Sequence, residues 1–262
     1  MKAVSATPTE LKRYLTVALS TAREAGAFLK RKYGRFRELH EKPDAGLVTE
    51  ADRGAEKLIA RRLLQAFPSH GFLGEEYGAK PGTSNLRWIV DPLDGTTNFV
   101  HGFPQFCVSI GLVRDGHPLV GVVYNPILED LFWAAKGMGA RRNGKIIGVS
   151  RTKRMKDALI TTGFSYRKQK VLTQEIEAFS RIVQETQAIR RTGSAALDLC
   201  YVACGHFDGF YERELSPWDI AAGILLVREA GGRVTDFSGE NHRMKTLSIL
   251  ASNGRLHSSL LR

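Results

Sequence analysis

The chain has 262 residues, 43% of them hydrophobic and 25% charged, with 38 Lys and Arg against 27 Asp and Glu, a formal net charge of +11. That length holds a sizeable core in one large domain or two small ones, and the composition excludes bulk disorder, collagen-like repeats and coiled coil. No stretch approaches the ~20 apolar residues of a membrane span, and the polar first 30 residues carry no signal-peptide core, which predicts a cytoplasmic protein without a membrane role.

In chain order, residues 9 to 33 are predicted as a long amphipathic helix. Leu11, Leu15, Ala18, Ala22, Ala25 and Leu29 recur at spacings of four and three on one face, Pro8 precedes them and Gly34 ends the run. A second helix is predicted from Glu50 to Phe67, with Ala55, Leu58, Ile59 and Leu63 inward. Thr49 and Asp52 fit a capping box at its start, and Pro68 stops it. Phe72-Leu73 is a candidate strand followed by Glu75-Glu76. Arg87 to Val90 is predicted as a short strand ending in Asp91-Pro92, with Cys107 to Val113, Leu119 to Tyr124 and Leu131 to Ala134 as further strands. Asp115-Gly116 and Asn125-Pro126 mark turns, and Asn143-Gly144 a hairpin. The expectation is an antiparallel meander lying on the two helices.

From about residue 150 strands and helices alternate. Strands are predicted at Leu159 to Thr162, Ile189 to Arg191, Gly209 to Tyr211, Val234 to Asp236 and Ser248 to Ala251. Helices are predicted at Leu172 to Glu185, Ala195 to Ala203 and Trp218 to Glu229, the last closed by Gly231-Gly232. Residues 1–150 and 151–262 are therefore expected as two parts, helices plus antiparallel sheet and then an α/β part. No Pro/Gly/Ser-rich linker separates them, so they are expected to pack as one compact unit.

The basic residues come in separate groups: Lys30-Arg31-Lys32, Arg61-Arg62, Arg141-Arg142, Arg151 to Lys156, Arg167 to Lys170 and Arg190-Arg191. The net charge attracts polyanions and phosphorylated solutes, but scattered groups are more often a solvated surface than a nucleic-acid groove. Three cysteines cannot all pair, which fits a reduced compartment. Cys200 and Cys204 share a helical face as small core residues.

The chain lacks the phosphate loop of nucleoside triphosphatases, a G-x-G-x-x-G turn, a G-x-S-x-G elbow, and H-x-H or H-E-x-x-H spacing. What remains is rich in carboxylates. Asp91-Pro92-Leu93-Asp94-Gly95-Thr96-Thr97 leaves a predicted strand, with two acids three apart across a Pro-fixed turn and a helix beginning near Gly95. Glu75-Glu76 follows another strand, and Asp219 sits in the first turn of the helix that Pro217 starts. Singly, each has a structural explanation, such as an acid at a helix N-terminus or a solvated loop pair. Gathered in one cleft they would repel, by roughly 4 kcal/mol for two charges 4 Å apart at an effective dielectric of 20. Such a cluster makes sense with bound cations, and oxygen ligands without His or Cys favour Mg²⁺ or Mn²⁺. Gly95-Thr96-Thr97 at a helix start offers backbone N–H groups to a phosphate. Alternatively, Asp94 caps that helix and satisfies the same groups.

The segment Trp88 to Phe99, WIVDPLDGTTNF, resembles the first signature of the inositol monophosphatase family, and Trp218 to Gly223, running on to Glu229-Ala230-Gly231-Gly232, resembles its second. Gly74-Glu75-Glu76 and Leu47 to Asp52 stand in that family's order, and Arg190 to Leu199 resembles its bacterial SuhB-like branch. The resemblance covers nearly the whole chain. It implies a layered α-β-α-β-α sandwich and a Mg²⁺-dependent phosphomonoesterase with two to three ions per subunit, Mn²⁺ being an alternative.

Glu75, Asp91 and the Leu93 carbonyl are implied as ligands of one ion. Asp91, Asp94 and Asp219 are implied as ligands of a second, with a weaker third ion near Glu75. Thr96 and Asp52 are implied as the dyad that, with Glu75, activates water. Gly95, Thr96 and Thr97 are implied as phosphate donors. Gly193, Ser194, Ala195, Glu212 and Asp219 are implied around the substrate. Asp52 thus reads both as capping acid and as dyad member. Tyr77 and the charged stretch Glu212 to Pro217 depart from the family's usual residues, and His206 and Arg213 are candidates to bias the site toward a more acidic or larger ester.

The implied substrate is inositol monophosphate. The same chemistry also suits fructose 1,6-bisphosphate, histidinol phosphate, NADP or a 3′-phosphoadenosine nucleotide. A homodimer and lithium sensitivity are further implications, as is an added contact with RNA polymerase or RNA in antitermination.

Overall fold

The computed structural model describes residues 6–35, 39–42, 46–164, 169–242, 244, 246 and 248–262. Arg167 and Lys168, from one of the basic groups, lie outside them. Helix α1 (Pro8–Lys32) buries Leu11, Leu15, Ala18, Ala22, Ala25 and Leu29, the predicted stripe. Thr7 caps it, its hydroxyl accepting from Glu10 N while the Glu10 carboxylate accepts from Thr7 N. Strands β1 (Leu39–Lys42) and β2 (Gly46–Thr49) form a separate ribbon, and helix α2 (Glu50–Ala66) starts from the predicted Thr49–Asp52 capping box.

An eight-stranded sheet follows among the described residues. It comprises β3 (Gly71–Gly74), β4 (Gly78–Lys80), β5 (Leu86–Asp94), then β6 (Cys107–Arg114), β7 (His117–Asn125), β8 (Asp130–Ala135), β9 (Ala140–Arg142) and β10 (Lys145–Ile146), with the short helix α3 (Thr96–Val100) between β5 and β6. From β5 to β10 it is the predicted antiparallel meander. Asp115-Gly116 and Asn143-Gly144 turn through left-handed φ angles of 51° and 79°, and 48° and 83°, as two-residue hairpins require. The departure is β3, which pairs parallel with β5. Strand β4 folds back on the outer edge of β3, and the chain then returns to its other side.

The C-terminal elements are β11 (Leu159–Thr162), α4 (Gln169–Glu185), β12 (Ala188–Arg190), α5 (Ala195–Ala203), β13 (Gly209–Arg213), α6 (Pro217–Glu229), β14 (Arg233–Thr235), β15 (Ser248–Ser252) and α7 (His257–Leu260). Their five strands lie in the order β12-β11-β13-β15-β14, with β11 parallel to both neighbours and β15 antiparallel to both.

The layers are set by alternation along the strands. Val120 and Val122 join a core with α1 and α2, while Val123 and Ala134 join a second core with α5 and α6 that reaches Phe210, Ile249 and Ala251 of the smaller sheet. Tyr211 and Leu250, on that sheet's other face, meet Ile182 of α4 and Leu260 of α7. The result is an α-β-α-β-α sandwich. Lying between two sheets, α6 buries every residue from Ile220 to Val227. Its close approach depends on Gly111 and Gly121, which pair across β6 and β7. An added Cβ would stand 2.9 Å from Ala221 Cβ at the first and 2.6 Å from Ala222 O at the second. Fully buried Trp88, Phe99, Phe106 and Phe132 anchor the packing, each contributing roughly 2–3 kcal/mol. The three cysteines are free thiols. No helix among the described residues is long and apolar enough to cross a membrane.

Candidate active site

Strand β5 does not stop at Val90 as predicted but runs to Asp94, and its register explains how the two acids meet. Asp91 faces Ser109 and Asp94 faces Cys107 on β6. Three steps on one strand match two on its neighbour, so an extra residue sits in a bulge around Pro92-Leu93 rather than in a tight turn. Residues three apart on a regular strand face opposite sides. The extra residue returns Asp91 and Asp94 to one side, the side that α6 covers. There Ser109 Oγ donates to Trp218 O at 3.3 Å, and Cys107 Sγ lies 3.9 Å from Asp94 Oδ2. The parallel pairing of Gly74 with Val90 brings Glu75 out of β3 at the same end.

The start of α3 is not capped by Asp94. Asp94 Oδ2 instead accepts from Ser194 Oγ at 2.6 Å and Ala196 N at 2.8 Å, at the start of α5. Gly95 holds the N-cap position at φ 92°, where a Cβ would stand 2.8 Å from Gln105 O and 3.3 Å from Gly193 O. Asn98 Nδ2 donates to Gln105 O at 2.6 Å and Thr192 O at 2.9 Å, tying α3 to the Gly193 segment. Thr96 Oγ1 lies 3.0 Å from both Asp52 Oδ1 and Leu93 O, and its one proton serves one acceptor at a time. Asp52 Oδ2 accepts from Thr49 N at 2.7 Å and Thr49 Oγ1 at 2.6 Å. The capping acid therefore also grips the threonine. Thr97 is exposed, and Ala195 opens α5 with its side chain buried.

Asp219 sits in the first turn of α6, its Oδ2 accepting from Ser216 N at 2.7 Å. Glu212 projects from β13 into space that only Gly163 leaves open, since a Cβ there would overlap the carboxylate. Asp198 on α5 accepts from Thr192 Oγ1 at 2.6 Å.

These carboxyls repel. Burial, then Glu75, Asp94 and Asp219, hold the Asp91 carboxyl well above the usual carboxylate range. Burial pushes Asp94 up to about 6 against the hydrogen bonds from Ser194 and Ala196, with Glu75 adding to the rise. Burial likewise raises Asp52 to about 6 and Asp198 to about 8. Glu212 is raised by burial, Asp198, Asp219 and Asp94. Among the described residues no three His, Cys, Asp or Glu side chains close into a finished ligand shell. Asp91, Asp94 and Asp219 each turn one oxygen to a protein donor. The donor set still fits a hard divalent cation: it is all oxygen, Asp91 and Asp94 are buried with Glu75 and Asp219 partly so, and it is burdened by mutual repulsion that a cation relieves.

The model of the "Inositol monophosphatase family" matches residues 10–262. The chain belongs to this family. An inositol-1-monophosphatase of Synechocystis sp. is 45% identical over 97% of this chain and 89% of its own length. A fructose-1,6-bisphosphatase/inositol-1-monophosphatase of Aquifex aeolicus is 42% identical over 96% of this chain and 95% of its own. The crystal structure of the extragenic suppressor protein suhB from Bartonella henselae superposes with a TM-score of 0.91 at 44% identity, covering 94% of this chain and 96% of that one. The chain is an enzyme of the inositol monophosphatase type, a phosphoric monoester hydrolase.

Within this inositol monophosphatase fold, sequence reasoning missed several supporting residues. Glu56, one turn after Asp52, is fully buried, and its carboxylate accepts from Glu76 N at 2.8 Å and Tyr77 N at 2.9 Å, holding the turn that carries Glu75. A Cβ on Gly74 would overlap that carboxylate. The signal available was the i, i+4 spacing of two acids on an otherwise apolar helix face. Ser194 was expected around the substrate, but its bond to Asp94, and that of the Ala196 amide, was not. Two expectations are corrected. His206 pairs with Arg142 Nη1 at 2.8 Å, and Arg213 covers the Phe237 ring at 4.4 Å, on the sheet face opposite Glu212. Neither lies where it would bias the carboxylate cleft.

Proposed function

We propose that the chain is a Mg²⁺-dependent phosphomonoesterase that hydrolyses inositol monophosphate to inositol and phosphate. The observation that carries this reading is the buried Asp91 carboxyl pressed by Glu75, Asp94 and Asp219, residues drawn from three places in the fold: strand β5, the turn after β3 and the first turn of α6. Glu75, Asp91, the Leu93 carbonyl, Asp94 and Asp219 would hold the ions, two to three per chain. A divalent ion held there supplies charge neutralisation at the phosphate and a lowered pKa for an attacking water, and Mn²⁺ serves in place of Mg²⁺.

The chain's own groups do the rest. Thr96 Oγ1, anchored by Asp52, takes a proton from the water and passes it toward that carboxylate, with Glu75 as the neighbouring acceptor. The amides of Gly95, Thr96 and Thr97 receive phosphate oxygens. Glu212, Gly193, Ser194 and Ala195 face the polyol, Ser194 acting through Asp94. On this reading residues 1–150 carry most ligands, 151–262 complete the cleft, and the two work as one unit within a cytoplasmic homodimer.

The test is phosphate release measured with and without Mg²⁺ across inositol 1-phosphate, fructose 1,6-bisphosphate, histidinol phosphate, NADP and 3′-phosphoadenosine nucleotides, compared by kcat/KM. Activity that survives chelation overturns the metal assignment, and a higher kcat/KM on another ester overturns the substrate.

A further inference from the structure

On the outer face of the five-stranded sheet, between α4, β13 and α7, lies a cleft of about 420 Å³, within the range of small-molecule sites. Its floor is apolar: Ile182, Leu250 and Leu260 are buried there. Tyr211 is 5% exposed, and its hydroxyl has no hydrogen-bond partner among the described residues. A buried donor left without an acceptor is rare in folded proteins. Burial pushes the Tyr211 phenol up to about 12, so near neutral pH it keeps its proton and can donate.

Three arginines, Arg181, Arg213 and Arg262, line the cleft, and Arg181 acts on the Tyr211 phenol. Arg213 Nε is also buried without a partner, its guanidinium lying 4.4 Å over the Phe237 ring. Arg181 Nη2 makes one long bond, 3.5 Å, to Leu260 O. Glu177, exposed at the rim, is the lining carboxylate side chain. A cleft with an apolar floor, three arginines and an unmet hydroxyl donor is matched by an acceptor-bearing anion with an apolar body.

We propose that this cleft binds a small organic anion, an apolar ring or chain ending in a carboxylate, sulfonate or phosphate group. The site is separate from the carboxylate cleft. Phe210 belongs to the inner core and Tyr211 to the outer one, so alternation along β13 sends Glu212 inward and Tyr211 and Arg213 outward. The proposal therefore does not depend on the reaction assigned to the inner site.

Calorimetric titration of the full chain with 1-naphthalenesulfonate tests it. One site per chain is expected. Tyr211→Phe removes only the partnerless hydroxyl and keeps the ring packed, so the fold holds while affinity falls about tenfold. Arg181→Gln weakens binding at least as much, and neutral 1-naphthalenemethanol binds about tenfold more weakly or worse. Absence of binding, equal affinity in wild type and both variants, or equal affinity for the neutral alcohol each overturns the proposal.

Discussion

Asp52 and Glu56 stand one helical turn apart on α2, both buried, and each holds a different loop of the cleft. Asp52 reaches the Thr96 hydroxyl at 3.0 Å, and Glu56 takes the amides of Glu76 and Tyr77 at 2.8 and 2.9 Å. One rigid helix thus sets the distance between the phosphate turn and the Glu75 turn. Helix geometry alone puts residues four apart on one face.

Removing Glu56 leaves two partly buried amides without acceptors. Glu56→Ala is expected to lower the unfolding free energy by about 1–3 kcal/mol and to reduce kcat more than it changes KM. Gly74→Ala, which forces the Glu56 carboxylate aside, is expected to reproduce much of this. Because both act on one contact, the double variant should cost less than the two single effects added. Urea unfolding and steady-state kinetics of the four proteins check it; full additivity refutes the shared contact.

Thr96→Val keeps the shape of the side chain and deletes its proton. A drop in kcat of roughly 10²–10⁴-fold is expected, the usual scale of proton transfer by a placed group, with KM nearly unchanged. Thr96→Ser keeps the hydroxyl and should recover most of the rate. A Val variant as fast as the Ser variant would remove Thr96 from the reaction.

Asp94→Asn tests the buried charges directly. The amide oxygen still accepts from Ser194 and Ala196, but one repelling charge is gone. In chelator-treated protein at pH 7 the variant is expected to melt higher than wild type. In Mg²⁺ the order should reverse, since only wild type gains ligand-linked stability. Calorimetric scans with EDTA and with Mg²⁺ decide it, together with a titration in which the variant gives little Mg²⁺ heat.

Asp198 predicts a pH effect of definite sign. Its carboxyl is raised from the ordinary carboxylate range to about 8 in the fold, so the folded chain binds a proton that the unfolded chain has lost. Stability from this group is present at acid pH and declines as pH rises from about 4 to about 8. His242 and His257 are depressed by burial to about 4 and act oppositely, but only below their unfolded values near 6.5. Between pH 6.5 and 8 Asp198 therefore dominates these groups, by on the order of 2 kcal/mol. Urea unfolding across that window should show the decline in wild type, and Asp198→Asn should make it smaller. A decline of equal size in the variant would assign it elsewhere.

Local patterns were read well from the residues because local physics controls them. The Leu11 to Leu29 stripe, the Thr49–Asp52 box and the Asn143-Gly144 hairpin each follow from spacing or from one residue's backbone preference. The candidate site was legible mainly through long matched segments, Trp88 to Phe99 and Trp218 to Gly223. The bulge at Pro92-Leu93 was not legible, because it is defined by pairing with Ser109 and Cys107, which lie on another strand. The parallel β3–β5 pair was missed for the same reason: strand direction depends on where β4 folds, and no residue of β3 encodes that.

What the amino-acid order alone determined is therefore the inventory: which segments bury an apolar face, where helices begin, and which acids and hydroxyls are available. Only the tertiary structure decided that Asp91 and Asp94 share a face, that Ser194 rather than the α3 amides claims Asp94, that Glu56 holds the Glu75 turn, and that Arg213 points away from Glu212. Those facts are long-range, set by one extra residue in a ladder and by glycines that let α6 lie close, and a periodicity within a single segment carries no information about its neighbour in space.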